Sequence, residues 1–293
     1  MRTSGDRIIV VDVTAANDAE VTVPGKRQQP PPRWAGNGPT SSSGNPKPTP
    51  LPIRVLRSAR VTAHVVGGLA TTVFVFPWVG PPTKQALIRK WSRQLLGILK
   101  VEARVHWGHE GGLGGNVLVV ANHVSWLDIF VLNSLQPARF IAKSDIRRWP
   151  VVGRLIANVG TVFIERERRR DTHAVNRHAV AALAGGDLVA VFPEGTTSDG
   201  TGLLKFHSSL LQSAVDAKGH IQPIAIRYRT PADLHCMAPA YVGEVTLFGS
   251  LWRVTGERTF VAELHVMPPF PAGVAHRREL SRAAEDAIRK ALA

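Results

Sequence analysis

At 293 residues the chain is long enough for one large or two small domains, and an apolar fraction of 44% allows a sizeable core. Lys and Arg outnumber Asp and Glu by 36 to 22, a formal charge of +14 that favours anionic lipid, phosphorylated substrates or nucleic acid. Aromatics make up only 6% and no basic run is interleaved with stacking rings, which argues against single-strand binding; the one cysteine, Cys236, excludes an internal disulfide framework or zinc cluster.

Residues 1–52 are rich in Pro, Gly and Ser and read as a disordered extension, interrupted by a short apolar patch, Ile8 to Val13. They carry no secretory signal pattern. Residues 53–100 read as a membrane-associated segment. No charge occurs from Val61 to Thr83, and the first nineteen residues of that run would just span a bilayer core. Arg54, Arg57 and Arg60 flank one end; Lys84, Arg89, Lys90 and Arg93 flank the other, and Trp78 sits where an interfacial aromatic would. We read a single span or a re-entrant piece, against the alternative of a buried helix in a soluble domain. Lys84 to Lys100 follows as a basic amphipathic helix suited to an anionic membrane surface, with Leu87, Trp91 and Leu95 on its apolar face.

From Val101 strands alternate with helices. The expected strands are Val101–Trp107, Val117–Ala121, Arg139–Ala142, Thr161–Glu165, Leu188–Phe192, Ile221–Tyr228 and Thr259–Met267. Helices are expected at Asp128–Leu135, Arg170–Ala184, Ser208–Ala217 and His276–Ala293. Residues 101–293 therefore predict an α/β domain with a mostly parallel central sheet flanked by helices. Gly111, Gly112, Gly114 and Gly115 precede a strand and match no dinucleotide fingerprint, so they read as a hairpin turn.

Four clusters lie near the strands. Val117–Ala121 ends abruptly in Asn122-His123, and Ser125 would cap the helix that follows. Asp128, five residues beyond His123, can reach back to the imidazole; a carboxylate on one ring nitrogen frees the other to take a proton. The second cluster, Gly160 to Arg166, delivers Arg166 to a strand end, where a guanidinium suits a phosphate. The third, Phe192 to Ser198, ends a buried strand in the turn Glu194-Gly195-Thr196, with Lys205 beyond it as a phosphate or headgroup contact. The fourth is the strand start Gln222 to Ile226. The scattered histidines form no His-Glu-x-x-His pair, so no metal is expected.

In this order and spacing the four clusters resemble the glycerolipid acyltransferase family, in particular its bacterial lysophosphatidic acid acyltransferases, over about residues 100 to 270. The resemblance implies acyl transfer from acyl-CoA or acyl carrier protein to the free hydroxyl of a lysolipid, with no cofactor and no nucleic-acid partner. It also implies a domain on the cytoplasmic side of a bacterial inner membrane. In it His123 is the general base, Asp128 orients the imidazole, and Asn122, Arg166, Glu194, Gly195, Thr196 and Lys205 serve substrate binding. The acceptor it implies first is 1-acylglycerol 3-phosphate. The third motif usually reads Glu-Gly-Thr-Arg-Ser; here Thr197 replaces the arginine, which removes a cation and raises another acceptor, such as a lyso-ornithine lipid. Two other readings compete: a hydrolase using Ser125, His123 and Asp128, for which no G-x-S-x-G elbow occurs, and a non-enzymatic basic protein on acidic membranes.

Overall fold

The computed structural model describes residues 7–11, 49–143, 153–154, 158, 161–164, 169–232 and 234–293. After β1 (Arg7–Val11) come two long helices, α1 (Leu51–Phe74) and α2 (Pro81–Leu99), then β2 (Val101–Trp107), β3 (Val117–Ala121), α3 (Asp128–Leu135) and β4 (Arg139–Lys143). The chain continues through β5 (Val162–Ile164), α4 (Arg169–Ala184) and β6 (Leu188–Val191). A 3-10 turn at Ser208–Leu211 leads into the short α5 (Gln212–Asp216), followed by β7 (His220–Arg229), α6 (Leu247–Gly256), β8 (Phe260–Val266), β9 (Phe270–Pro271) and α7 (Arg277–Leu292).

The described strands form one sheet in the order β1-β2-β8-β7-β3-β6-β4-β5, with β9 beside β7. Pairing is antiparallel at β1/β2, β7/β8 and β7/β9 and parallel elsewhere, so the α/β, mostly parallel expectation holds. Five-residue β3 lies between β6 and β7 and is buried throughout, as an uninterrupted apolar run requires of a strand covered on both faces. Its alternate residues serve two cores. Val117, Val119 and Ala121 pack with α2 and α3 residues, whereas Leu118 and Val120 pack with Leu183 of α4 and Leu280, Ala284 and Ile288 of α7.

Three expectations need correcting. The glycine loop after β2 is no hairpin turn, because β8 and β7 lie between β2 and β3; Gly111 (φ 108°) and Gly112 (φ 68°) instead turn a crossing loop. Within the stretch expected to be disordered, Arg7–Val11 forms an edge strand on β2; residues 1–6 and 12–48 lie outside the described residues. Helix α6 was not expected at all. Thr246 caps it, accepting a hydrogen bond from Gly249 N–H at 3.1 Å, and Leu247, Leu251 and Val254 form its inner stripe.

Helices α1 and α2 form a hairpin closed by a 3-10 turn at Phe76–Trp78. By length and composition, Leu51–Trp78 is the single candidate among the described residues for a helix that could cross a membrane, yet only 22% of its apolar window is buried. Val61, Gly68 and Thr72 are buried toward the domain, with Val65 on the same stripe. Val55, Val66, Val73, Phe74 and Trp78 are exposed, the last at 86%. A soluble-core helix would be mostly buried, and this one is mostly exposed. Two of the flanking arginines are spent on the domain: Arg54 donates to Trp252 O (2.6 Å) and lies over the Trp252 ring, while Arg57 donates to Glu257 O (2.6 Å).

A reciprocal clamp joins the two helices. His64 Nε2–H donates to Trp91 O (3.0 Å), Trp91 Nε1–H donates to His64 O (3.1 Å), and the rings stack with centroids 4.6 Å apart. Gly68 makes room for it, because a Cβ there would lie 2.5 Å from Trp91 Nε1. In an exposed helix Gly→Ala gains about 1 kcal/mol of helix propensity. Here the overlap should win, and Gly68→Ala should lower stability by roughly 1–3 kcal/mol. Chemical denaturation in detergent checks this; a variant as stable as its parent would mean that Trp91 yields freely.

Candidate active site

The site lies where β3, β6 and β7, mutually parallel around β3, release their chains on one edge of the sheet. β3 ends at Ala121 while β7 runs on. Asn122 continues the ladder with its side chain: Nδ2–H donates to Ile226 O (2.9 Å) and Oδ1 accepts from Ile226 N–H (2.7 Å), all buried. A side-chain amide offers the donor and acceptor of a peptide group, so it can replace one strand residue. Both ends of the Asn122 amide are thus engaged by backbone, and a substrate contact from it is not what the geometry offers.

His123 is held at its backbone from both sides. Its N–H donates to Glu194 Oε1 (2.7 Å), and its carbonyl accepts from Ser198 N–H (2.8 Å) and Ser198 Oγ (3.3 Å). The other Glu194 oxygen accepts from Leu204 N–H at 2.9 Å. Burial pushes the Glu194 carboxyl above its ordinary range, and the two backbone N–H groups partly oppose that rise. Gly195, at φ 75°, makes the tight return that keeps Glu194 and Ser198 on either side of His123.

The imidazole stacks on Phe192, centroids 4.0 Å apart, and points Nδ1 at Asp128 Oδ2 at 2.8 Å. Asp128 is fully buried as the first residue of α3. Oδ2 also accepts from Val124 N–H (2.8 Å) and Ser125 N–H (3.0 Å), and Oδ1 accepts from the Tyr228 hydroxyl (2.7 Å). Ser125 does not cap α3: its Oγ accepts from Leu127 N–H (3.2 Å) in the preceding turn, and the residue is fully buried. Nδ1 is committed to Asp128, which leaves Nε2 as the ring's other nitrogen. Among the described residues it has no hydrogen-bond partner.

His123 lines a cavity of about 400 Å³ walled by α1, α2, α3 and α6. Val65, Trp91, Leu95, Ile129 and Leu251 are among its walls, and none of the described residues lining it is Lys, Arg, Asp or Glu. Near His123 it is bordered by Thr197 and Tyr241. Thr197 Oγ1 donates to the Tyr241 carbonyl, and Tyr241 N–H donates to Val124 O (2.9 Å). The position that carries an arginine in the resembling motif is therefore occupied by a hydroxyl turned to backbone.

Of the residues singled out from sequence, His123, Asp128, Asn122, Glu194 and Gly195 come together. Thr196 and Lys205 are exposed beside them, and Arg166 lies outside the described residues. Tyr228 and Tyr241 were not singled out, and Ser198 was named only as the end of the third cluster. Tyr228 left one trace, a hydroxyl-bearing aromatic two residues beyond Ile224-Ala225-Ile226, in alternation with Ile224 and Ile226 along a buried strand.

A family model described as Acyltransferase matches residues 100–227. The chain is 37% identical over 246 residues to the "Lyso-ornithine lipid O-acyltransferase" of Pseudomonas aeruginosa, covering 81% of this chain and 93% of that protein. It is 46% identical over 138 residues to the "1-acyl-sn-glycerol-3-phosphate acyltransferase" of Neisseria meningitidis, covering 47% of this chain and only 54% of that protein. The crystal structure of the 1-acyl-sn-glycerophosphate acyltransferase PlsC from Thermotoga maritima has the same fold, at TM-score 0.59 and 22% identity over 82% of this chain and 96% of that one.

The Glu194 geometry has a direct test. In Glu194→Gln one amide oxygen still accepts an N–H, but the NH2 faces the other donor. We expect a loss of roughly 1–3 kcal/mol and a fall in turnover on the order of tenfold or more as His123 shifts. Denaturation and steady-state rates check both, and unchanged turnover would mean that the carboxylate does not place His123.

Proposed function

The chain belongs to the acyltransferase family, and from that premise we propose that it moves a fatty acyl group from a thioester donor, acyl-CoA or acyl carrier protein, to the free hydroxyl of a lysolipid. One observation carries the reading: His123 is fixed through Nδ1 to a buried carboxylate while its ring borders an uncharged cavity of acyl-chain character. In this mechanism Nε2 accepts the proton of the acceptor hydroxyl as its oxygen attacks the thioester carbonyl. The tetrahedral intermediate collapses by breaking the C–S bond, and the imidazolium returns its proton to the departing thiolate. The thioester is already activated, so the reading calls for no cofactor and no enzyme nucleophile. Asp128 holds the imidazole in the Nδ1–H tautomer and stabilises the imidazolium. Asn122 and Glu194 act as placing residues for His123; Arg166, Thr196 and Lys205 remain the candidates for the acceptor's polar end.

The apolar outer face of α1, with Phe74 and Trp78 at the hairpin tip, supports insertion into a membrane. Arg54 and Arg57 tie the opposite end of α1 to the domain, and α2 returns beside it. That supports a re-entrant hairpin in one leaflet rather than a single span, with the domain on the cytoplasmic side, where thioester donors are made.

For the acceptor we place a lyso-ornithine lipid ahead of 1-acylglycerol 3-phosphate. Thr197 supplies no cation for a phosphate, and an ornithine headgroup has none to bind. The match to the Pseudomonas protein also extends along nearly its whole length. The phosphate acceptor keeps the support of the higher identity over the shorter matching region. The purified protein, offered both lysolipids in parallel with a labelled acyl donor, should acylate the lyso-ornithine lipid faster. Exclusive acylation of 1-acylglycerol 3-phosphate would reverse the order. His123→Ala should lose about 10²–10⁴-fold in turnover, whereas Ser125→Ala should stay near the parent. Equal losses would favour the hydrolase constellation instead.

A further inference from the structure

Tyr228 lies one strand over from the His123–Asp128 pair, on the same face of β7 as Ile224 and Ile226. It is among the largest fully buried side chains, at 1% exposure. Its ring packs edge-on against Phe260, centroids 6.0 Å apart, which fixes where the hydroxyl points. That hydroxyl donates to Asp128 Oδ1 at 2.7 Å. Of the donors to the carboxylate, three meet Oδ2; Tyr228 is the donor that meets Oδ1.

Burial and the neighbouring charge of Asp128 push the Tyr228 phenol well above its ordinary range, so it stays protonated and remains a donor. The ionisable groups around the assembly leave that role uncontested. The Cys236 thiol, on the loop after β7, is pushed up to about 11 by burial and stays neutral. Glu194 faces the backbone of His123, with both oxygens engaged by N–H groups.

We propose that Tyr228 is a positioning residue of acyl transfer, holding the second oxygen of Asp128 and so setting, through that carboxylate, how readily His123 takes a proton. The inference rests on the reading of His123 as the base. With the phenol present, the negative charge is shared between two hydrogen-bonded oxygens. Without it Oδ1 is buried and unsatisfied, the carboxylate loses a fixed point, and charge gathers on the oxygen facing Nδ1. A stronger charge there favours the imidazolium and makes the neutral base scarcer at a given pH.

Tyr228→Phe keeps the ring and its packing on Phe260 and removes only the hydroxyl. It should lower kcat at neutral pH about tenfold and move the acid limb of the kcat profile upward by about one pH unit, with KM for the acyl donor little changed. A second measurement leaves the hydroxyl in place. The chain has two tyrosines, Tyr228 and Tyr241, so 3-fluorotyrosine labelling gives two fluorine resonances. The one that persists in Tyr241→Phe is that of Tyr228; it should titrate with the midpoint of the acid limb, and that titration should vanish in His123→Ala. An unshifted acid limb with full turnover in Tyr228→Phe would overturn the proposal; so would a Tyr228 resonance indifferent to pH across the limb, a result that stands even if the variant fails to fold. Full activity in His123→Ala would instead remove the base assignment beneath it.

Discussion

The rest of the site depends on a charge that should not be where it is. The Asp128 carboxylate is fully buried, and an isolated carboxylate in such a place would shed its charge rather than bear the loss of water. It is met instead by two backbone N–H groups of the turn, the imidazole and a phenol, at the positive end of α3. Each donor comes from a segment whose position the fold must fix. Satisfying one carboxylate thus ties together the turn after β3, the start of α3 and the far end of β7. The imidazole is the one member of this set that also reaches the cavity, so the strain-free way to satisfy Asp128 is also the way to aim His123.

Much of the frame was legible in the sequence because it follows from local periodicity. Val101–Trp107, Val117–Ala121 and Asp128–Leu135 were delimited to the residue, since a period-2 alternation, an apolar run without interruption or a helical apolar face needs no distant partner to be recognised. His123 and Asp128 were legible for the same reason: five residues apart, they meet across one turn. Asn122 and Ile226 are separated by 104 positions, and Tyr228 and Asp128 by 100. Their meeting is a fact of strand order, β3 beside β7, which alternation cannot supply. Asn122 and Glu194 were singled out for substrate binding, but an amide or carboxylate at a strand end reads alike whether it faces substrate or backbone, and both meet backbone. The ladder register decides it.

The helical hairpin shows a second limit of local reading. An uncharged stretch of helix length carries no charge on any side to mark the solvent face, and composition cannot say whether either side is covered. In the fold one stripe of α1 is covered by the domain and by α2, with Trp91 seated over Gly68, and the opposite stripe is bare. The covered stripe borders the cavity that ends at His123. The uncharged part of α1 therefore has two uses in this protein, because it closes an uncharged chamber on one side and offers an uncharged surface on the other. The arginines at its start complement this by binding α6 carbonyls, which keeps the chamber wall attached to the catalytic domain.

The turn from Glu194 to Ser198 separates two demands that a single motif would be expected to mix. Its first and last residues grip the backbone of His123, one at the N–H and the other at the carbonyl, so they are committed to placing His123. The residues between them are not: Thr196 is exposed, and Thr197 bonds to the Tyr241 carbonyl rather than to His123. Neither grip on His123 runs through the side chain at 197. Tyr241 in turn is tied to Val124. Thr197 and Val124 thus hold the backbone of Tyr241 at its carbonyl and its N–H, at the border of the cavity.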